Sequence, residues 1–135
     1  MKKYEIIEHI SDLKIRAFGK TKEELFLNML LGMTSALRAK TKNQKPKIKK
    51  IKIKSLDPEA LLVDFLSEVL YLIQVNKEIY TKVKFIKFSD KETEAELSGQ
   101  KVERLGEDIK AVTYHSLDIH QRKDGAWEAT VLFDI

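Results

Sequence analysis

Two aspartates and a chain end stand where oxygen ligands could meet. Asp12 falls in the polar break His9-Ile10-Ser11-Asp12, and Asp134 directly follows an apolar run at residues 129–133, with Ile135 last. If the final strand pairs near the start of the chain, the Asp12 and Asp134 side chains join the α-carboxylate of Ile135. Three carboxylates in one place repel unless a cation or a basic side chain neutralises them. All-oxygen ligation suits a hard ion, Ca²⁺, Mg²⁺ or Mn²⁺, over Zn²⁺. A solvated chain end is the ordinary reading of such an Asp, and spacing alone leaves both readings open. Of the three His, strand parity turns His115 and His120 to opposite faces, which reads as structural. The chain has no Gly-rich phosphate loop, no G-x-S-x-G elbow and no H-E-x-x-H. With no Cys there is no disulfide framework, thiolate metal site or cysteine nucleophile. A metal-dependent hydrolase would lack a nucleophile or base.

The elements that must position these groups are legible from periodicity. Residues 3–8, rich in Tyr and Ile, predict a strand, and the strict alternation of Leu13-Lys14-Ile15-Arg16-Ala17 predicts a second, ended by Gly19. Thr21-Lys22-Glu23-Glu24 has capping-box spacing, and Leu25, Phe26, Met29, Leu30, Met33 and Leu37 continue it as an amphipathic helix. Residues 38–44 read as a loop. Residues 47–54 read as a strand in which Ile48 and Ile51 have opposite parity, calling for a bulge or a start near Lys50. Asp57-Pro58-Glu59 opens a second helix with a broad apolar face. Alternation then predicts strands at 80–88, 93–102, 112–120 and 127–133, the last pair turning over Asp124-Gly125. The expected fold is one α+β domain over residues 1–135, mostly antiparallel sheet with two helices, in the order β-β-α-β-α-β-β-β-β.

The 135 residues carry a net charge of +4, unevenly spread. Residues 38–54 hold nine basic side chains and no acid, while the remainder holds 16 basic residues against 21 acids, a balance of −5. Lys47, Lys49 and Lys50 in that segment are candidates for a polyanion contact. A solvated lysine face guarding an edge strand is the plainer reading. Lys dominates the segment and no aromatic is interleaved, so any contact would be non-specific. No run approaches the ~20 apolar residues of a membrane helix, and the N-terminus lacks a signal-peptide core. A soluble, cytoplasmic protein without a membrane partner is expected.

Several blocks share a further pattern. Tyr4-Glu5-Ile6-Ile7-Glu8-His9 with Asp12, Ala17-Phe18-Gly19-Lys20-Thr21 and Glu23-Glu24-Leu25-Phe26 resemble the archease family. So do Leu61-Leu62-Val63-Asp64-Phe65-Leu66-Ser67-Glu68 with Leu70-Tyr71, Ile109-Lys110-Ala111-Val112-Thr113-Tyr114-His115, and Val131-Leu132-Phe133-Asp134-Ile135. The resemblance covers nearly the whole chain, in family order. It implies a non-catalytic accessory of the GTP-dependent tRNA-splicing ligase, which joins RNA ends bearing a 2′,3′-cyclic phosphate or 3′-phosphate to a 5′-hydroxyl. Archeases promote guanylylation of that ligase and its multiple turnover. The resemblance further implies a divalent cation, Ca²⁺ foremost, on Asp12, Asp134 and the Ile135 carboxylate, with Lys110 and His9 serving ligase activation. Contact with tRNA would be indirect or weak. The chain departs from the family at Ile10, Ser11, Leu13 and Lys14, where H-T-A-D-I-G is usual, and at Phe65, where a Trp is usual. The main alternative is a small RNA-binding module using residues 38–54.

Overall fold

A computed structural model describes residues 1–8 and 12–135. The chain runs β1 (Tyr4–Glu8), β2 (Asp12–Gly19), α1 (Lys22–Ala36), β3 (Lys40–Thr41), β4 (Lys47–Lys54), α2 (Pro58–Asn76), β5 (Glu78–Phe88), β6 (Glu92–Arg104), β7 (Ala111–Thr113), β8 (Ile119–Gln121) and β9 (Trp127–Asp134). The expected α+β order holds, with two refinements. Residues 40–41 add a short strand where a loop was expected, and the strand expected at 112–120 is split into β7 and β8. The turn expected at 9–11, with His9, lies outside the described residues.

Among the described residues all strand pairs are antiparallel and form two sheets. One is ordered β1-β2-β9-β7, with β8 also on β9; the other places β6 between β5 on one side and β4 and β3 on the other. The odd positions of β2, Leu13, Ile15 and Ala17, pair with Phe133, Val131 and Ala129 of β9, and all six are buried. They meet Leu25, Phe26, Met29, Leu30 and Met33 of α1, all fully buried, so the methionines pack the core. Phe65 of α2 stacks tilted between Phe26 and Phe85, at centroid distances of 5.8 and 5.9 Å. No helix among the described residues is long and apolar enough to cross a membrane.

Both helix starts follow from their caps. The Glu24 N–H donates to the Thr21 hydroxyl at 3.1 Å, and the Glu24 carboxylate accepts from the Lys20 N–H. The Ala60 N–H donates to Asp57 Oδ1 at 2.8 Å with Pro58 at the first turn. α2 ends where Lys77 turns left-handed, with φ of 54°. The parity conflict in β4 resolves without a bulge: the strand is in continuous register with β6, and Ile48 simply faces solvent at 57% exposure.

One buried polar pair sits in this frame. Tyr80 of β5 lies opposite Gly99 of β6, and a Cβ at Gly99 would lie 2.5 Å from the Tyr80 ring. The Tyr80 hydroxyl donates to buried Glu78 at 2.8 Å and accepts from the Asn76 amide at 3.2 Å. Burial, opposed by the Asn76 hydrogen bond and reinforced by Glu78, pushes the hydroxyl up to about 12. Tyr80→Phe leaves a buried carboxylate without its donor and is expected to cost about 1–3 kcal/mol in urea unfolding. The unfolded chain releases the Tyr80 proton near ~10, whereas the folded chain holds it to about 12. Wild-type stability therefore falls as pH rises through that window. The variant should lack that part of the fall.

A candidate carboxylate site at the β2–β9 end

The pairing of β2 with β9 brings the two aspartates to one place. Asp12 and Asp134 are direct cross-strand partners, so their side chains share the face opposite the core. Like charges directly opposite on a sheet repel. Among the described residues neither takes part in an ion pair. Asp12 is half-buried, and its Oδ1 is shut from solvent without a hydrogen-bond partner among the described residues. A carboxylate oxygen in that state carries a desolvation cost that a cation would offset.

Asp12 opens into a cavity of about 390 Å³ that Ile135 also lines, with Ile6, Leu13, Ser35, Ala36, Arg38, Glu107, Asp108 and Ile109 completing it. Asp134 does not line it; its backbone carbonyl accepts from the Lys110 N–H at 2.7 Å, which ties the chain end to the start of β7. Glu107, Asp108 and Arg38 were not expected at this site from the sequence. Their placement is long-range: the Gly106 N–H lies within hydrogen-bond distance of the Leu37 and Arg38 carbonyls at 3.0 and 3.1 Å, and the Glu107 N–H donates to Leu37 at 3.0 Å. A Cβ at Gly106 would meet Arg38 Cβ and O at 2.9 Å, so the two segments touch backbone to backbone. Asp12, Glu107, Asp108, Arg38 and Ile135 thus share the lining of one cavity, without the three acids converging on one point.

A second recess, about 340 Å³, lies on the other side of Asp12 and is lined by Lys14, His115, Ser116, Thr130 and Leu132. His115 therefore stands near the candidate site, where strand parity had read it as structural. The strand breaks there: Ser116 is left-handed with φ of 53°, and the Tyr114 hydroxyl donates to Asp64 Oδ1 at 2.9 Å. Asp64 is held from its other oxygen by the Ser55 hydroxyl at 2.6 Å, and its bond with Tyr114, then burial, raises the Tyr114 hydroxyl above its ordinary value. His120 is elsewhere, between Asp118 and Glu128 at 3.0 Å each.

Lys110 is exposed and lines a separate recess with Ser67, Leu70, Tyr71, Gln74, Ala111 and Val112. Its side chain is thus not part of the lining shared by Asp12 and Ile135. His9 lies outside the described residues. Of the basic segment, Lys47 and Lys50 are exposed, whereas Lys49 is half-buried on the parity of Ile51.

Among the described residues no three His, Cys, Asp or Glu side chains gather to hold a metal ion. A cation at this end would draw on Asp12, Asp134 and a main-chain carboxylate together. The orphaned Asp12 oxygen and the all-oxygen donor set fit a hard ion.

The described residues form an α+β domain of two antiparallel sheets, with Asp12 and Asp134 paired at one strand end. Solved structures share the architecture. Protein 1598 of Methanobacterium thermoautotrophicum matches with a TM-score of 0.73 and 27% identity over 100% of both chains. A Thermotoga maritima structure described as an archease, possible chaperone, matches in fold with a TM-score of 0.68 at 22% identity, over 96% of this chain and 94% of that one. Protein archease of Methanosarcina barkeri is 37% identical over 145 residues, covering 99% of this chain and 97% of the relative. The sequence profile of the archease protein family matches residues 4–135, and the chain belongs to that family.

Proposed function

We propose that this protein is a non-catalytic, cytoplasmic activator of the GTP-dependent tRNA-splicing RNA ligase, promoting its guanylylation and multiple turnover through a divalent cation. Family membership supports the reading, and one observation carries the site: Asp12 faces Asp134 across the sheet with a buried, unpartnered oxygen. Asp12, Asp134 and the Ile135 carboxylate would hold the ion, Ca²⁺ foremost, with Mg²⁺ or Mn²⁺ as substitutes. When bound, the ion supplies positive charge that offsets phosphate charge during nucleotidyl transfer. The chain's own residues do the rest. The Lys110 N–H fixes Asp134 through its carbonyl, and the exposed Lys110 side chain would contact the ligase; His9, assigned to the same task by the family resemblance, lies outside the described residues.

The test is transfer of labelled GMP from GTP to the ligase, with wild type, Asp12→Ala and a version carrying residues appended after Ile135. Both changes are expected to cut the stimulation by roughly 10-fold or more, the scale seen when metal-site groups are disturbed. Full stimulation by both variants removes the reading.

A further inference from the structure

The four-stranded sheet turns a charged face to solvent that the basic segment only half reveals. On β4, Lys50, Lys52 and Lys54 pair with Glu96, Glu94 and Glu92 of β6. On the far side, Lys84 and Lys87 of β5 pair with the same Glu96 and Glu94, and Lys82 pairs with Ser98. Directly opposed residues share a face, so a central row of three Glu runs between two rows of three Lys. All six lysines are exposed. The Glu row answers part of this charge: Lys52 reaches Glu94 at 3.4 Å and Glu92 at 3.8 Å, and Lys87 reaches Glu92 at 3.3 Å. Burial would raise Glu92, but the Lys87 hydrogen bond and the charges of Lys87, Lys54 and Lys52 outweigh it, so its carboxyl sits below the usual range. Lys50, Lys54, Lys82 and Lys84 make no ion pair among the described residues, and the face keeps an excess of three positive charges.

We infer that this face is a docking surface for the phosphate backbone of single-stranded RNA, separate from the carboxylate site. The spacing favours a regular polyanion. Lysines two residues apart on a strand repeat every roughly 6.6 Å, and the two rows stand about 9–10 Å apart. That is a track of point charges on the scale of successive phosphates along an extended strand. The face holds no Arg and no aromatic side chain; Phe85 and Phe88 turn inward and pack on Phe65 and Phe26. Contacts are therefore to phosphate and indifferent to base sequence. An acidic protein partner is disfavoured because the face lacks a buried aromatic or Arg anchor. Its exposed apolar side chains, Ile48 and Ile86, lie on different edge strands with β6 between them.

Fluorescence anisotropy with a labelled 20-nucleotide uridine strand reads this directly. Four unpaired lysines predict a salt slope near −3, so binding seen at 50 mM salt should weaken about 50-fold by 200 mM. Changing Lys50, Lys54, Lys82 and Lys84 together to Gln alters exposed side chains that make no ion pair among the described residues. It should leave the protein folded, with only a small fall in melting temperature from the lost charge pairing with Glu92 and Glu96, and flatten the slope almost to zero. Asp12→Ala should bind the strand as wild type does, whatever becomes of ligase stimulation. The inference is overturned if the wild type does not bind at 50 mM salt or if the four-fold variant keeps the slope. It is equally overturned if poly-glutamate of equal charge displaces the strand at equal or lower concentration, which would assign the face to an acidic protein.

Discussion

Gly19→Ala is expected to cost about 3 kcal/mol or more, at the top of the range for overpacking a close-fitted site. A Cβ at Gly19 would stand 2.3 Å from the Leu25 nitrogen, 2.8 Å from the Thr21 carbonyl oxygen and 2.9 Å from the Glu24 carbonyl carbon. All three obstacles are backbone, in the first turn of α1, and none can swing aside as a side chain would. The turn is fastened from both ends. The Asn28 amide donates to the Phe18 carbonyl at 2.7 Å inside the core, and the Leu25 N–H donates to the Thr21 carbonyl at 3.0 Å. Relief can come only by lifting α1 from β2, which would open contacts among fully buried Ile15, Met29 and Met33. Gly125→Ala is the control. Gly125 has φ of +90° in the β8–β9 turn, yet nothing lies within 4 Å of its would-be Cβ. That change costs only the left-handed strain, about 1–2 kcal/mol. Urea midpoints of the two variants should separate clearly, with Gly19→Ala the lower or failing to accumulate as folded protein. Equal midpoints would mean the β2–α1 turn has slack that the geometry denies.

Gly19 also shows what periodicity can and cannot deliver. A Gly after an alternating run and before Thr21-Lys22-Glu23-Glu24 marks the end of one element and the cap of the next, because both signals are local. Alternation put Leu13, Ile15 and Ala17 on the core face for the same reason, and the structure buries all three. Residues 40–41 carry no such signal. They become a strand because β6 is 13 residues long and runs past the end of β4, which leaves Val102 and Arg104 to pair with Thr41 and Lys40. The run at 112–120 has strand composition, yet left-handed Ser116 and the Tyr114–Asp64 bond draw its middle away from the β9 edge. Asp64 lies 50 residues upstream, and no window along the chain contains both.

The site divides along the same line. Asp12 and Asp134 could be suspected of meeting because strand pairing is a single long-range assumption, and the register makes them partners. Arg38, Glu107 and Asp108 depend on a second one, the backbone contact of Gly106 with Arg38, which leaves no trace in residue type beyond a Gly in a loop. The lysine segment changes its meaning across the sheet. Read along the chain it is nine basic residues without an acid; read across the sheet, Lys50, Lys52 and Lys54 face glutamates some 40 residues on.

Asp12→Asn is expected to separate the cation's contribution from that of the fold. In the absence of divalent ions the variant should melt at or above the wild type, because it removes the charge of a half-buried carboxylate that faces Asp134. The amide keeps the side chain's shape and can donate to Asp134. With a divalent ion the order should reverse. An ion held at a hundred times its dissociation constant stabilises the folded state by about 2.7 kcal/mol, if the unfolded chain does not bind it. For a domain of this length that is a rise of roughly 10 °C in melting temperature. Wild type in excess Ca²⁺ should show that rise, and Asp12→Asn should move by no more than about a fifth of it. Sensitised Tb³⁺ luminescence gives the affinity independently of melting. It should weaken by roughly 10- to 100-fold in the variant, and less in Glu107→Gln/Asp108→Asn, whose side chains line the cavity from the exposed loop. If the loop variant loses the ion while Asp12→Asn retains it, the cation belongs to the wall built by Gly106 and Arg38. The strand pair would then be only a tolerated repulsion.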